Sequence, residues 1–276
     1  MTANLELQRV NESPTLRGFR NLLRKENRAW WNTRLWWINA LLWTVLLCGL
    51  LAIMIFGPNN EFQEASAAEI AAAGGELAFI LDVGLNIFFQ FGVAVTAIGV
   101  IILTQDTIIS EKQNGLAEWL LSKPINHRSY MLAKLAANIP PILLLVIGLP
   151  SVTAYTLLSI RMGALFPVLP YWSGVGIMAI HTLFYLTLTL MLGTIFQSRG
   201  PILGITLGSV LGGGMIGGFI KPLLSVTPWM LPKVATLTAS GQALPPEVGI
   251  VPVLATLAWS VVFTWTAVIF FQNSEF

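Results

Sequence analysis

The chain has 276 residues, of which 55% are hydrophobic and only 10% charged, with a formal net charge of +2 at pH 7. A soluble domain carries about 25% charged residues to cover its surface, so this composition excludes an ordinary water-soluble fold and makes lipid the solvent for much of the surface. A lone cysteine, Cys48, excludes an intramolecular disulfide and a thiolate metal cluster, and reads as a small buried apolar residue.

The first element is polar. Ser13-Pro14 pairs a cap residue with proline at a first helical position, and predicts a helix over 13–34. Arg17, Arg20, Arg24 and Arg28 recur at spacings of three and four and line one face, while Leu16, Phe19, Leu23 and Trp30 line another. Trp30, Trp31, Trp36 and Trp37 crowd the point where the apolar sequence begins. This predicts an amphipathic helix lying on a membrane, its arginines toward lipid phosphates and its aromatics at the boundary. The polar residues before Ile38 are unlike the short basic region and apolar core of a cleaved signal, so none is expected.

The first apolar run, 35–56, is long enough to cross a hydrocarbon core of ~30 Å. An acidic, alanine-rich loop follows, with Glu61, Glu64, Glu69 and Glu76. A second span is expected over 77–103, then a polar loop, 106–128. In that loop Glu111, Gly115, Glu118 and Ser122 would stack on one helical face, and Pro124 would end the helix. A short amphipathic helix protruding there suits docking against a partner outside the membrane. Spans over 132–160 and 171–196 come next.

The fifth expected span, 202–220, is rich in glycine. Gly200, Gly204, Gly208 and Gly212 repeat every four residues, a spacing that lets helix backbones approach closely, so Gly204, Gly208 and Gly212 are candidates for helix packing. The glycines that follow weaken the helix and point to a bend or break. Segment 221–249 carries Pro222, Pro228, Pro232, Pro245 and Pro246, and reads as short outer helices or a re-entrant turn covered by protein. A sixth span is expected over 250–271.

The expected fold is therefore all-α, with about six membrane spans. Of the 15 basic residues, 12 fall before span one, between spans two and three, or between spans four and five. The others are Arg161, Lys221 and Lys233. By the positive-inside rule both termini lie in the cytoplasm, which predicts a multi-pass protein of the cytoplasmic membrane.

Asp106, Ser110-Glu111, Gly115, Glu118, Leu120-Leu121-Ser122, Pro124, Arg128 and Lys134 resemble the signature of ABC-2-type transporter permeases. The close match covers about 30 residues. It departs from many relatives at Asn114-Gly115-Leu116, where a threonine commonly follows the glycine, and at Trp119, where an aliphatic residue is usual. The layout of elbow helix, six spans and broken outer helices before the last span is similar to that family too. The resemblance implies a permease dimer, homo- or heteromeric, seated on two cytoplasmic ATPase subunits. It makes 106–128 the coupling-helix loop, with Glu111, Gly115, Glu118, Trp119 and Ser122 against the ATPase. Arg128 and Lys134 would then anchor the loop at the membrane surface, as Arg17, Arg20, Arg24 and Arg28 anchor the elbow. Export is the direction it implies. Partners would be the ATPase, a second permease copy and lipid, with no nucleic acid. No metal or catalytic residue is expected. The chain has no G-x-x-x-x-G-K-[ST] phosphate loop, so ATP and Mg would belong to the partner.

Three rival readings differ in chemistry. Ser209 and His181 could form an intramembrane nucleophile and base. An ion-coupled carrier needs ionisable residues inside its spans, and only Asp82 and His181 qualify. A membrane anchor or assembly subunit without transport is the third.

Overall fold

The computed structural model describes residues 16–57, 67–116, 119, 122, 125–244 and 249–273, with only the backbone of Gly217, Gly218 and Lys221. The Ser13-Pro14 cap, Glu61, Glu64, Glu118, Pro124, Pro245 and Pro246 lie outside the described residues. The described residues contain helices and no strand. Five helical stretches are long and apolar enough to cross a membrane: Leu35–Phe56, Glu76–Gln113, His127–Met162, Val168–Ile195 and Val251–Asn273. The protein is an all-α, multi-pass membrane protein.

Helix α1, Phe19–Trp31, precedes the first span, α2, Leu35–Phe56. A short α3, Ala67–Ala73, leads to a long second stretch. That stretch is built from α4, Glu76–Asn86, a π-helical turn at Ile87–Phe91, α5, Gly92–Thr104, and α6, Asp106–Gln113. The expected span ended at Leu103, but the helix runs on through α6. The third stretch is α7, His127–Pro141, a π-helical segment Ile142–Gly148, and α8, Leu149–Met162. Pro140 and Pro141 supply no N–H to the carbonyls of Ala136 and Ala137. The ladder loosens there, and the wider π geometry follows at once.

Helix α9, Val168–Ile195, is the central element and buries most of its length. It packs against α5 and against two later helices, Leu231–Ala239 and Val251–Asn273. Helix α10, Arg199–Phe219, is continuous. The expected break among its glycines does not occur, because in lipid an intact i→i−4 ladder is the cheapest way to satisfy the backbone. Its 21 residues span about 31 Å at 1.5 Å per residue. Beyond it come α11, Lys221–Ser225, a 3₁₀ turn at Pro228–Met230, and α12, Leu231–Ala239. Each has a proline at its first or second position, so these prolines start helices rather than break them. The last element is α13, Val251–Asn273.

Two apolar cores stack along the bundle. One joins Leu22, Ile101, Ile108, Tyr130, Tyr185, Ile202 and Phe271, at the end that carries α1 and α6. The other joins Leu51, Ile55, Phe88, Phe89, Leu158, Tyr171 and Met178 toward the opposite end. Between helices in lipid the transfer term is small, because the tails are as apolar as leucine, so close fit decides stability.

The glycine expectation needs correction. A Cβ on Gly204, Gly208 or Gly212 would meet nothing within 4 Å, so these three do not pack helices within the chain. Close approach is made elsewhere. A Cβ on Gly99 would lie 2.0 Å from the Trp43 ring, and one on Gly213 would lie 1.9 Å from Trp229. Trp43 cannot easily step aside, since it is buried and its Nε1 donates to Asn39 Oδ1 at 3.0 Å. Gly99→Ala is therefore expected to lower stability by about 1–3 kcal/mol through overpacking. Gly204→Ala should stay within about 0.5 kcal/mol. Thermal unfolding of both variants in one mild detergent checks the contrast.

Candidate functional site: a charge cluster around α6

Three helices meet at the basic end, each through residues four apart. From α1 come Leu22, Glu26 and Trp30. From α7 come Tyr130, Lys134 and Asn138, and from α6 come Thr107 and Glu111. A four-residue spacing keeps side chains on one helical face, so the three ladders can interlock.

They do so around Lys134, whose surface is only 1% exposed. Its Nζ lies 3.3 Å from Glu26 Oε1 and 3.0 Å from Glu111 Oε2, and donates to the Thr107 carbonyl at 3.0 Å. It also sits 5.0 Å from the Tyr130 ring centre. The Tyr130 hydroxyl donates to Glu111, and Lys25 donates to the other Glu111 oxygen. One turn along, Trp30 Nε1 donates to Asn138 Oδ1 at 3.1 Å. Two ammonium groups thus face two carboxylates, and the cluster is neutral. Each carboxylate is nearly enclosed too, at 14% and 12% side-chain exposure for Glu26 and Glu111. Burial pulls the Lys25 ammonium down, but the hydrogen bond and charge of Glu111, with Glu26, outweigh it and hold the group above its ordinary value. A raised ammonium pKa adds stability below the ordinary value and loses it only as pH rises through the folded value, so Lys25 stays charged through the neutral range.

Helix α6 is tied on its other sides as well. Lys112 Nζ donates to the Thr194 carbonyl at 2.6 Å, placing a cation at the carbonyl end of α9, where the helix dipole favours it. Asp106 pairs with Arg199 at 2.8 Å, at the start of α10, and Gln113 Nε2 donates to the Gln197 carbonyl at 3.2 Å. Tyr130 stacks on Phe271 of α13 with centroids 4.5 Å apart. One short helix therefore holds α1, α7, α9 and α10.

The helix stops at Gly115, whose φ of +65° lies in the left-handed region that ends helices cheaply only for glycine. Trp119 N–H then donates to the Gly115 carbonyl at 3.1 Å, and Ser122 Oγ to the Trp119 carbonyl at 2.8 Å. The Trp119 surface is 56% exposed.

Two expected roles change. Glu111 does not point outward from the loop. It turns into the cluster, because Lys25, Lys134 and Tyr130 converge on it. Lys134 is not at a membrane surface but is enclosed, since two carboxylates and a carbonyl satisfy its ammonium. Arg17, Arg20, Arg24, Arg28 and Arg128 are exposed. Lys25, Glu26, Tyr130, Asn138 and Lys112 were not foreseen. Their signal was the four-residue spacing on α1 and α7, with Glu26 the lone acid among arginines.

The intramembrane serine–histidine arrangement is not formed. Ser209 Oγ lies 3.2 Å from the Tyr185 hydroxyl and accepts from Trp229 Nε1 at 3.3 Å. The His181 ring lies tilted beside Tyr185, with centroids 5.0 Å apart, and its Nδ1 has no partner among the described residues. No group of three or more metal-ligating side chains occurs among the described residues. No protein-family model matches the chain, and no curated protein matches it.

Removing one partner of a buried charge pair leaves the other uncompensated, which costs about 3–5 kcal/mol. Lys134→Met should lower stability by that order. Adding Glu26→Gln and Glu111→Gln to the same chain should restore more than half of the loss. Thermal unfolding of the single and triple variants in detergent measures both steps.

Proposed function

We propose that this chain is the membrane-spanning permease subunit of an ATP-driven transporter of the ABC-2 type, working as an exporter. In this reading α10 also crosses the membrane, which makes six spans in all, both termini lie in the cytoplasm, and the membrane is the cytoplasmic one. A separate ATPase subunit binds ATP and Mg, and the turn beyond Gly115, with Glu118, Trp119 and Ser122, rests against it. The observation that carries the reading is the hub on α6. A push on the exposed turn reaches α6 directly, and α6 is tied to four other helices. That is what a coupling element requires. It also reassigns Glu111 and Lys134 from partner contact and surface anchoring to force transmission inside the subunit. The second copy of the permease would meet the exposed glycine face of α10, where Gly204 and Gly208 leave open space.

Two experiments test this. The tagged protein is drawn from native membranes in gentle detergent, and its companions are identified by mass spectrometry. A stoichiometric ATPase is expected, and Glu118→Lys should remove most of it. If no ATPase accompanies the unaltered protein, the docking role of the turn is wrong. For the second copy, a cysteine at Gly208 in a Cys48→Ser background should give a disulfide-linked pair in membranes under mild oxidation. A cysteine at Trp265 on α13 should not.

A further inference from the structure

An open, apolar groove of about 500 Å³ runs between α7 and α13, with α9 as its floor. Leu135 and Ile139 form one wall, Trp265 and Val268 the other, and Leu183 lies beneath. Thr187, Ser260 and Thr264 also line it, but their hydroxyls donate to carbonyls of their own helices. The groove therefore offers no free polar group along its length. Its mouth at the basic end is different, for there it is lined by Arg128 and Gln272. The Arg128 side chain is exposed and forms no ion pair among the described residues.

We propose that this groove binds an anionic glycerophospholipid, with an acyl chain along Leu135, Ile139 and Val268 and the phosphate on the Arg128 guanidinium. The planar fork of arginine matches phosphate oxygens in pairs, and the Gln272 carboxamide stands in the same mouth as a further donor. A free phosphate would leave the long apolar part empty. A second copy of the chain fits poorly, because α13 has no acidic residue to meet Arg128, and a two-fold axis would bring one basic mouth against another. The site is separate from the arginine face of α1, and it stands whether or not the chain works with an ATPase.

The test uses the full chain in detergent with a phosphatidylglycerol that carries a photoreactive group in its acyl tail. Labelled peptides should come from α7 and α13. Unlabelled phosphatidylglycerol should suppress that labelling at least about fivefold better than phosphatidylcholine of the same chains. Arg128→Gln should abolish the preference and Arg128→Lys should keep part of it, while Lys233→Gln, on the exposed face of α12, should leave it unchanged. Equal competition by the two lipids, or an intact preference in Arg128→Gln, overturns the proposal. So does a disulfide-linked pair through a cysteine at Trp265 in membranes, which would make the groove an interface between copies.

Discussion

The basic end of the bundle is organised by one constraint: an ammonium group enclosed among helices must be compensated on the spot. Removing such an ion from water costs several kcal/mol even after relaxation, and only near-ideal partners repay it. Lys134 has two carboxylates and a carbonyl within 3.3 Å. Supplying them dictates the rest of this region. Helix α1 must lie across the start of α7 to bring Glu26. The second helical stretch must run past Leu103 to bring Glu111. Tyr130 must sit one turn before Lys134 to donate to the same Glu111 oxygen, while Lys25 holds the other. An amphipathic helix on a membrane surface could slide along it, but this one is pinned to the spans at Glu26 and Trp30.

Such a cluster turns separate helices into one mechanical unit. Its two cations and two anions are shared among α1, α6 and α7, so Lys134 cannot part from Glu26 and Glu111 without leaving an enclosed charge uncompensated, while Lys25 closes the cluster from its solvent side. Packed interfaces of this kind have a few discrete arrangements rather than a continuum. The unit ends at Gly115, where the chain adopts the left-handed conformation that stops α6.

The spans were legible because hydropathy is a local property: the first ends at the same residues as expected, 35 and 56. Failures came where meaning depends on what lies opposite. Lys134 reads as a surface lysine, since lysines near span ends usually extend their ammonium to the interface. Nothing adjacent in sequence announces Glu26, 108 residues away. The spacing of Tyr130, Lys134 and Asn138 was visible, but the arginine stripe on α1 is the louder signal and drew attention to the opposite face of that helix. The glycines tell the same story. Regular spacing made Gly204, Gly208 and Gly212 conspicuous, yet Gly99 and Gly213 are the ones that admit an aromatic ring, because Trp43 and Trp229 face them.

The two ends of the molecule are held by different forces, and this bears on which of them can move. At the end away from α1, Phe88, Phe89, Phe166 and Tyr171 pack with ring centroids 5.2–6.3 Å apart, and the Tyr171 hydroxyl donates to the Ser151 carbonyl at 2.8 Å. Aromatic contacts of this kind are worth about 0.5–1.5 kcal/mol each beyond the area they bury, and both edge-to-face and offset-stacked arrangements are favourable. The charge cluster has no such tolerance, since its partners are directional and its members are enclosed. Any rearrangement that begins at the basic end must carry α1, α6 and α7 as one body. The adjustment then falls where the helices are already loosened, at the π-helical segments 87–91 and 142–148. Segment 142–148 lies midway along the third helical stretch, whereas 87–91 itself carries Phe88 and Phe89 of the aromatic end.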